Sequence, residues 1–270
     1  MRRKERLDRL LVERGLAESR QRAQALILAG CIWVGDKRVD KPGSLVPFDQ
    51  EITIKSPDSL YVSRGGKKLE HALEAFKIQV EGRTCIDVGA GTGGFTDCLL
   101  KKGAKFVYAV DVGYGQLHPR IRQDSRVRVL EKTNIRYLEP AVFDQVPELA
   151  TIDVSFISLE LVLPVVVRLI SPNGELVVLI KPQFEVGKGQ VGKKGVVKDS
   201  QLHREVILKV AKGAKAHGLQ VKGLVPSPLP GPRGNREFFI HLVREGEEGD
   251  IEELMEGIFS FKERPIKKHE

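Results

Sequence analysis

"IDVGAGTGGFTDCLL", Ile86 to Leu100, decides the fold class, and it fits two templates. Gly89, Gly91 and Gly94 spell the G-x-G-x-x-G of a dinucleotide turn. Asp87, Gly89, Gly91 and Gly93 spell the D-x-G-x-G-x-G of loops that hold S-adenosylmethionine (SAM). Both templates run an apolar strand into a bare glycine turn and then a helix, so that backbone approaches the ligand closely. Asp87 separates them. A carboxylate at the turn repels a pyrophosphate and attracts the sulfonium and ammonium of SAM. The amides that open the next helix, from Gly93 and Gly94 through Phe95 to Thr96, suit the ligand's own carboxylate. Asp111, ending the following strand in "AVDVGYGQL" with Val112 beside it, suits ribose hydroxyls. Asn134 in "EKTNIRYL" suits the adenine side.

Around this loop, apolar strands alternate with helical segments: "TCIDVG", "FVYAVD", "VRVL", "TIDVSF", "ELVVLIK", "QVKGLVP" and "REFFIHLV". The alternation predicts a parallel α/β sheet over residues 67–245, a Rossmann-like sheet with helices on both faces and its ligands at the carboxyl ends of the strands. Residues 60–66, with Ser and Gly, are expected as a linker, and 246–270 as an acidic helix or tail. "LELVLPVVVRLI" is broken by Pro164 and Arg168 and predicts a buried helix, not a membrane span.

Residues 1–59 form a separate small α+β unit in this reading. Leu7, Leu10 and Leu11 mark one helix, closed by Gly15. Ser19 caps a second, with Ala23, Leu26 and Ile27 inward and Gly30 at its end. Short strands in "CIWVGDKRV" and "EITIK" follow. Arg20, Arg22, Lys37 and Arg38 are left outside, a basic face for a phosphate backbone, and Arg6 stands on the surface of the first helix.

The 270-residue chain carries net charge +8, unevenly distributed. Residues 59–243 hold 27 Lys/Arg against 18 Asp/Glu, whereas 244–270 hold 5 against 9. A basic body points to a polyanion, most simply nucleic acid. "GKGQVGKK", Gly187 to Lys194, nearly fits a nucleotide phosphate loop, but Lys194 stands where the magnesium-binding hydroxyl belongs. Lys188, Lys193, Lys194 and Lys198 are instead expected to track an RNA backbone. Cys31, Cys85 and Cys98 form no C-x-x-C and have no histidine partners at metal spacing, so a reduced cytoplasmic protein without metal is expected.

The end of the fourth strand, "IDVSF", lacks the Asn/Asp-Pro-Pro-aromatic run that grips an exocyclic base amine. Neither Cys85 nor Cys98 is placed to attack a base carbon. Asp153 and Lys181 do lie at strand ends, and a lysine beside an aspartate suits activation of a hydroxyl. A free lysine, with a pKa of about 10.4, is charged at neutral pH; burial and a second ammonium favour the neutral base, and carboxylates oppose it.

The N-terminal run "RLDRLLVERGLAESRQRAQALILAGCIWVGDKRVDKPGSLV" resembles the S4-like RNA-binding domain. The large domain resembles the FtsJ-like ribose 2′-O-methyltransferases. The whole chain is similar to the TlyA (haemolysin A) family, through "YVSRGGKKLEHAL", "DVGAGTGGFTDCLL", "DVGYGQL", "TIDVSFISL", "IKPQFEVGKG" and "GNREFF" in order. The resemblance implies SAM as cofactor and 2′-O-methylation of ribosomal RNA, usually at cytidine. It implies a catalytic tetrad at Lys68, Asp153, Lys181 and Glu237, with Lys68 preferred to Lys67, and Asp153 also bordering the cofactor. Arg64 and Lys67, in the first of those stretches, join the RNA-binding set. Gly91 departs from the family, which has a small polar residue there. A base methyltransferase and an RNA-binding ribosome-assembly factor are the alternatives; a membrane-lytic protein would need a span or amphipathic surface helix that the sequence does not offer.

Overall fold

The computed structural model describes residues 4–54, 60–187, 189–192, 194–246 and 249–259. The N-terminal unit comprises β1 (Lys4–Arg6), α1 (Leu7–Glu13), α2 (Arg20–Leu28), β2 (Ile32–Val34), β3 (Lys37–Arg38), β4 (Leu45–Pro47) and β5 (Ile52–Ile54). β2 pairs with both β3 and β5, and β1 with β4, all antiparallel. Leu7, Leu10 and Leu11 close onto Ala23, Ile27 and Ile32 in one small core. The Ser19 hydroxyl accepts from the Arg22 backbone N–H at 3.1 Å, so the cap that the sequence suggests is formed.

The large domain is built on a seven-stranded sheet. Its elements are α3 (Arg64–Ala75), β6 (Thr84–Val88), α4 (Gly94–Lys101), β7 (Phe106–Val110), α5 (Pro119–Arg122), β8 (Val127–Leu130), β9 (Leu149–Ile152), α6 (Leu159–Leu169), β10 (Glu175–Ile180), α7 (Pro182–Glu185), α8 (Ser200–Ala216), β11 (Gln220–Pro226), β12 (Phe238–Val243) and α9 (Ile251–Phe259). Sheet order is β11-β12-β10-β9-β6-β7-β8. Successive strand residues point to opposite faces, and two cores result. Cys85, Val107, Leu149, Val177 and Phe239 pack under α3 and α4. Ile86, Val110, Ile152, Val178 and Phe238 pack under α6, α8 and α9.

Three expectations are corrected. The sheet is not wholly parallel: β12 runs antiparallel to β10 and β11. The connection between β11 and β12 contains only a short 3₁₀ turn, Pro232–Gly234, too little for the crossover that parallel neighbours need. β9 begins at Leu149 and stops before Asp153, so Asp153 to Phe156 form its outgoing loop. Residues 60–66 are not a free linker. Tyr61 and Val62 are buried in the α3/α4 core, and α3 already starts at Arg64. The Val62 N–H donates to Asp97 Oδ2 at 2.7 Å, and the Tyr61 hydroxyl to Glu70 Oε1 at 2.6 Å. The two glycines of "SRGG" explain the packing. A Cβ on Gly66 would overlap the Tyr61 ring, and Gly65 and Gly66 lie against Gly94 of α4, so the first turns of α3 and α4 touch.

Asp87 has a different place from the one expected. It is the penultimate residue of β6, fully buried on the α4 face. Its Oδ2 accepts from the Thr96 hydroxyl at 2.7 Å and its Oδ1 from the Thr151 hydroxyl at 3.1 Å, Thr151 being its in-register neighbour on β9. Asp87 therefore staples the strand, the helix after the glycine turn and the adjacent strand, and its carboxylate does not face a ligand. Burial pushes its carboxyl up to about 7, the two threonine hydroxyls opposing.

Two outcomes follow for stability. Alanine at Gly66 should cost about 1–3 kcal/mol in urea unfolding, as overpacking does, although alanine is the better helix former; in a Tyr61→Ala background the same change should cost nothing. For Asp87, the folded carboxyl keeps its proton to about pH 7 while the unfolded one releases it near its ordinary 3.8. The folded state thus holds the extra proton between those values, and this site's contribution to stability falls as pH rises through that window and is flat above it. Asp87→Asn, which cannot titrate, should gain on the wild type by on the order of 2 kcal/mol between pH 5 and 8. A constant difference across that range would show a normally titrating carboxyl.

Candidate active site

The carboxyl ends of β6, β7, β9 and β10 converge at the glycine turn. Gly89 N–H and Ala90 N–H both bond the Val110 carbonyl, at 2.8 and 3.1 Å, and Asp153 N–H bonds the Val88 carbonyl at 2.9 Å. A Cβ on Gly89, whose φ is +87°, would stand 2.5 Å from the Asp153 carbonyl oxygen. Only glycine lets the turn lie directly on the end of β9. Gly91 differs: a Cβ there would meet nothing nearer than 3.9 Å, so this part of the turn faces open space.

Asp111 borders that space. Its Oδ2 accepts from Gly91 N–H at 2.8 Å and its Oδ1 from Gly113 N–H at 2.6 Å. Each oxygen keeps a lone pair for a further donor such as a ribose hydroxyl. Val112 is 70% exposed beside it. Asn134 caps the 3₁₀ turn Ile135–Tyr137, its Oδ1 accepting from Arg136 N–H at 3.1 Å. Gly93, at φ +90°, is the residue before α4, and Gly94 opens the helix against α3. The Phe95 ring is buried in the core, 6.0 Å from the Phe239 ring, and its backbone lies at the turn. With Asp87 turned inward, the carboxylates at this edge are Asp111 and Asp153. An open glycine turn with Asp111 at the adjacent strand end fits the adenosine moiety of SAM.

Two lysine–carboxylate pairs lie beyond the turn. Lys181, the residue after β10, places Nζ 2.5 Å from Asp153 Oδ1 and donates to Ser155 Oγ at 2.9 Å. Lys68, on α3, places Nζ 2.5 Å from Glu237 Oε2, and the two residues are only 5% and 1% exposed. Lys67 is exposed, so Lys68 is the lysine that meets Glu237. Ile180 pairs in register with Phe238, which brings Lys181 beside Glu237 at the same edge of the sheet. Glu237 Oε1 has no hydrogen-bond partner among the described residues. A Cβ on Gly231 would collide with the Glu237 carboxylate, which accounts for glycine there.

Sequence reasoning missed several residues at this edge. Ser155 holds Lys181, and its signal was only a hydroxyl two residues after Asp153. Phe156 is 90% exposed at φ +63°, tilted against Phe184 with ring centroids 4.8 Å apart. Asn235 is buried and bonds Val197 N–H, the Gly195 carbonyl and the Pro232 carbonyl at 3.1, 2.9 and 3.1 Å. Cys85 and Cys98 are fully buried and burial pushes both thiols up to about 12, which removes them as nucleophiles.

The basic residues divide. Asp8, buried, accepts from both Arg6 and Arg20 at 2.9–3.0 Å, and the Arg6 guanidinium holds its carboxyl well below the usual range. Those two arginines are thereby fixed in direction with their outer edges exposed. Arg22 is half-buried on α2, and Lys37 and Arg38 lie exposed on the edge strand β3. Arg64 is half-buried and Lys67 exposed on α3, and Lys194 is exposed. Lys188 and Lys193 lie outside the described residues.

Residues 61–244 match the FtsJ-like methyltransferase family and residues 5–52 the S4 domain. The chain is 49% identical over 243 residues to the 16S/23S rRNA (cytidine-2′-O)-methyltransferase TlyA of Mycobacterium tuberculosis, covering 90% of this chain and 91% of that one. It is 39% identical over 239 residues to hemolysin A of Brachyspira hyodysenteriae, covering 88% and 99%. A solved structure from Streptococcus thermophilus, named for hemolysin, superposes with a TM-score of 0.73 at 44% identity over 95% of this chain and 96% of that chain. Among the described residues no helix is long and apolar enough to cross a membrane, and no cluster of residues could hold a metal ion. The chain therefore belongs to the FtsJ-like methyltransferases of the TlyA (haemolysin A) group, with an S4 domain ahead of the catalytic fold.

Proposed function

We propose that the chain methylates the 2′-hydroxyl of a ribose in ribosomal RNA, at cytidine, with SAM as the methyl donor, in the cytoplasm where ribosomes are assembled. One observation carries this reading: two lysine–carboxylate pairs, Lys181–Asp153 and Lys68–Glu237, at neighbouring strand ends beside an open glycine turn. That set is suited to a sugar hydroxyl. A base amine would need a different grip, and a base carbon would need a reactive thiol. The names of the relatives from Mycobacterium tuberculosis and Campylobacter jejuni specify cytidine-2′-O methylation of rRNA.

SAM, when bound, supplies an electrophilic methyl group; Gly91, Asp111, Val112 and Asn134 would hold its adenosine part. Asp153 and Ser155 fix the direction of Lys181 Nζ. Lys181 Nζ orients the 2′-hydroxyl and, as the free amine, takes its proton while the oxygen attacks. Glu237 holds Lys68 at the same edge, where its ammonium attracts the ribose-phosphate. The exposed ring of Phe156, backed by Phe184, offers a flat apolar face to a base that has left its stack. The S4 domain contributes Arg6, Arg20, Arg22, Lys37 and Arg38 as a sequence-independent grip on phosphates.

Lys181→Ala should lower kcat by about 10²–10⁴, the usual share of a general base, while the Kd for SAM measured calorimetrically stays within about twofold. The readout is methyl transfer to unmodified ribosomal subunits, with alkali-resistant linkages marking the 2′-O-methylated nucleotides. Near-normal transfer would remove Lys181 from the mechanism; alkali-labile methylated products would assign the methyl to a base.

A further inference from the structure

A second charged site lies at the same edge of the sheet but on its other face. Glu237 turns toward Lys68 of α3, whereas Arg236, one residue earlier, lies against Phe238 and Phe259 on the α8/α9 side. Together with Arg233, Lys194 and Lys198 it lines a cleft of about 900 Å³ between the turn before β12 and the loop leading into α8. The walls are fixed. Asn235 bonds both of them, and Arg233 Nη1 donates across to the Lys194 carbonyl at 3.2 Å. The Arg236 guanidinium sits over the rings of Phe238 and Phe259, at 5.4 and 5.1 Å. The acid at the rim, Asp199, is committed to capping α8, accepting from Gln201 N–H at 2.8 Å. The amino end of that 17-residue helix opens into the cleft beside it.

His203, which also lines the cleft, adds a second kind of chemistry. It is 3% exposed, and its Nε2 lies 3.0 Å from the Val197 carbonyl. A carbonyl only accepts, so Nε2 carries the proton and Nδ1 is a bare acceptor. Nδ1 has no partner among the described residues. Burial lowers the basicity of the ring, which keeps Nδ1 unprotonated. Four cations and a helix amino end call for an anion, while a bare buried acceptor calls for a hydroxyl or amine donor. A DNA backbone meets the first demand and has no 2′-hydroxyl for the second.

We infer that this cleft is a ribonucleotide subsite, which takes a phosphodiester of the substrate RNA on Arg233, Arg236 and Lys198 and the adjoining 2′-hydroxyl on His203. It rests on the RNA-methylating function proposed above and extends it. The strand whose target ribose lies at Lys181 continues over the sheet edge, and the cleft holds a neighbouring nucleotide without touching the reacting atoms.

The test uses the full chain with a 12-nucleotide mixed-sequence RNA, the same DNA sequence, and unmodified ribosomal subunits. Lys198→Ala/Arg233→Ala, both exposed positions, should raise the RNA Kd and the KM for subunits about tenfold. It should reduce the slope of log Kd against log salt by about one, with kcat at saturating subunits and the Kd for SAM unchanged. His203→Phe should shrink the preference for RNA over DNA. If wild type methylates ribose in the subunits while the double variant keeps its KM and salt slope, the subsite is overturned and the function stands. If wild type leaves ribose unmethylated in every subunit, the function itself fails, whatever the variants do. An RNA preference retained in folded His203→Phe would overturn the ribose contact; should that variant not fold, the double variant still decides the phosphate contact.

Discussion

The buried pair between Lys68 and Glu237 spans the catalytic domain, joining its first helix to its last strand across 169 residues of sequence. Two charges taken from water repay that cost only when they meet in good geometry, and the loss of one partner leaves the other buried and uncompensated, at about 3–5 kcal/mol. The pair therefore constrains placement more than it adds stability. α3 must lie where Lys68 can reach β12, which in turn presses the first turn of α3 against α4 and the glycine turn. The close approach of Gly65 and Gly66 to Gly94, and the bare Cα of Gly231 beside the Glu237 carboxylate, are what that placement demands of the backbone. Glu237 Oε1, left without a partner among the described residues, shows that the pair is not built for maximum stability.

Much of this was legible in the chain, for identifiable reasons. β6, β7, β8, β10, β11 and β12 each show as short apolar runs, because both sheet faces are covered. Asp111, Asp153 and Lys181 stand out in the sequence because each ends an apolar stretch, and each lies immediately after a strand, β7, β9 and β10. Ser19 was found as a cap because a hydroxyl just ahead of a helix satisfies amides that nothing else can. What stayed hidden depends on partners distant in sequence. Nothing local in "REFFIHLV" reveals that β12 runs backward; the short connection from β11 does. That the Phe95 ring packs on Phe239 depends on a strand far along the chain. Tyr61 to Ser63 looked like linker because their partners, Glu70 and Asp97, lie later in the chain.

Asp87 shows how a motif can be found while the role given to one of its residues changes. A carboxylate beside a glycine turn attracts a cationic ligand only if it faces that ligand. One further strand residue, Val88, separates Asp87 from the turn, and the two-residue period of β6 puts its side chain under α4. There it bonds two threonine hydroxyls, one on the helix after the turn and one on the neighbouring strand, so it shapes the turn from behind. The carboxylates that do face the strand-end edge lie beyond the strands themselves: Asp153 is paired with Lys181, and Asp111 accepts from two backbone amides.

The sheet edge organises the remaining charge. On the α3 face the lysines are matched by carboxylates, Lys68 by Glu237 and Lys181 by Asp153, a nearly neutral arrangement suited to moving a proton. On the α8 face Arg233, Arg236, Lys194 and Lys198 exceed the one acid among them, a cationic arrangement suited to holding a strand. The two residues just ahead of β12 separate them, Glu237 facing α3 and Arg236 the α8/α9 side. Uneven charge along the chain thus becomes, at this edge, a division between a paired, nearly neutral face and an unpaired, cationic one.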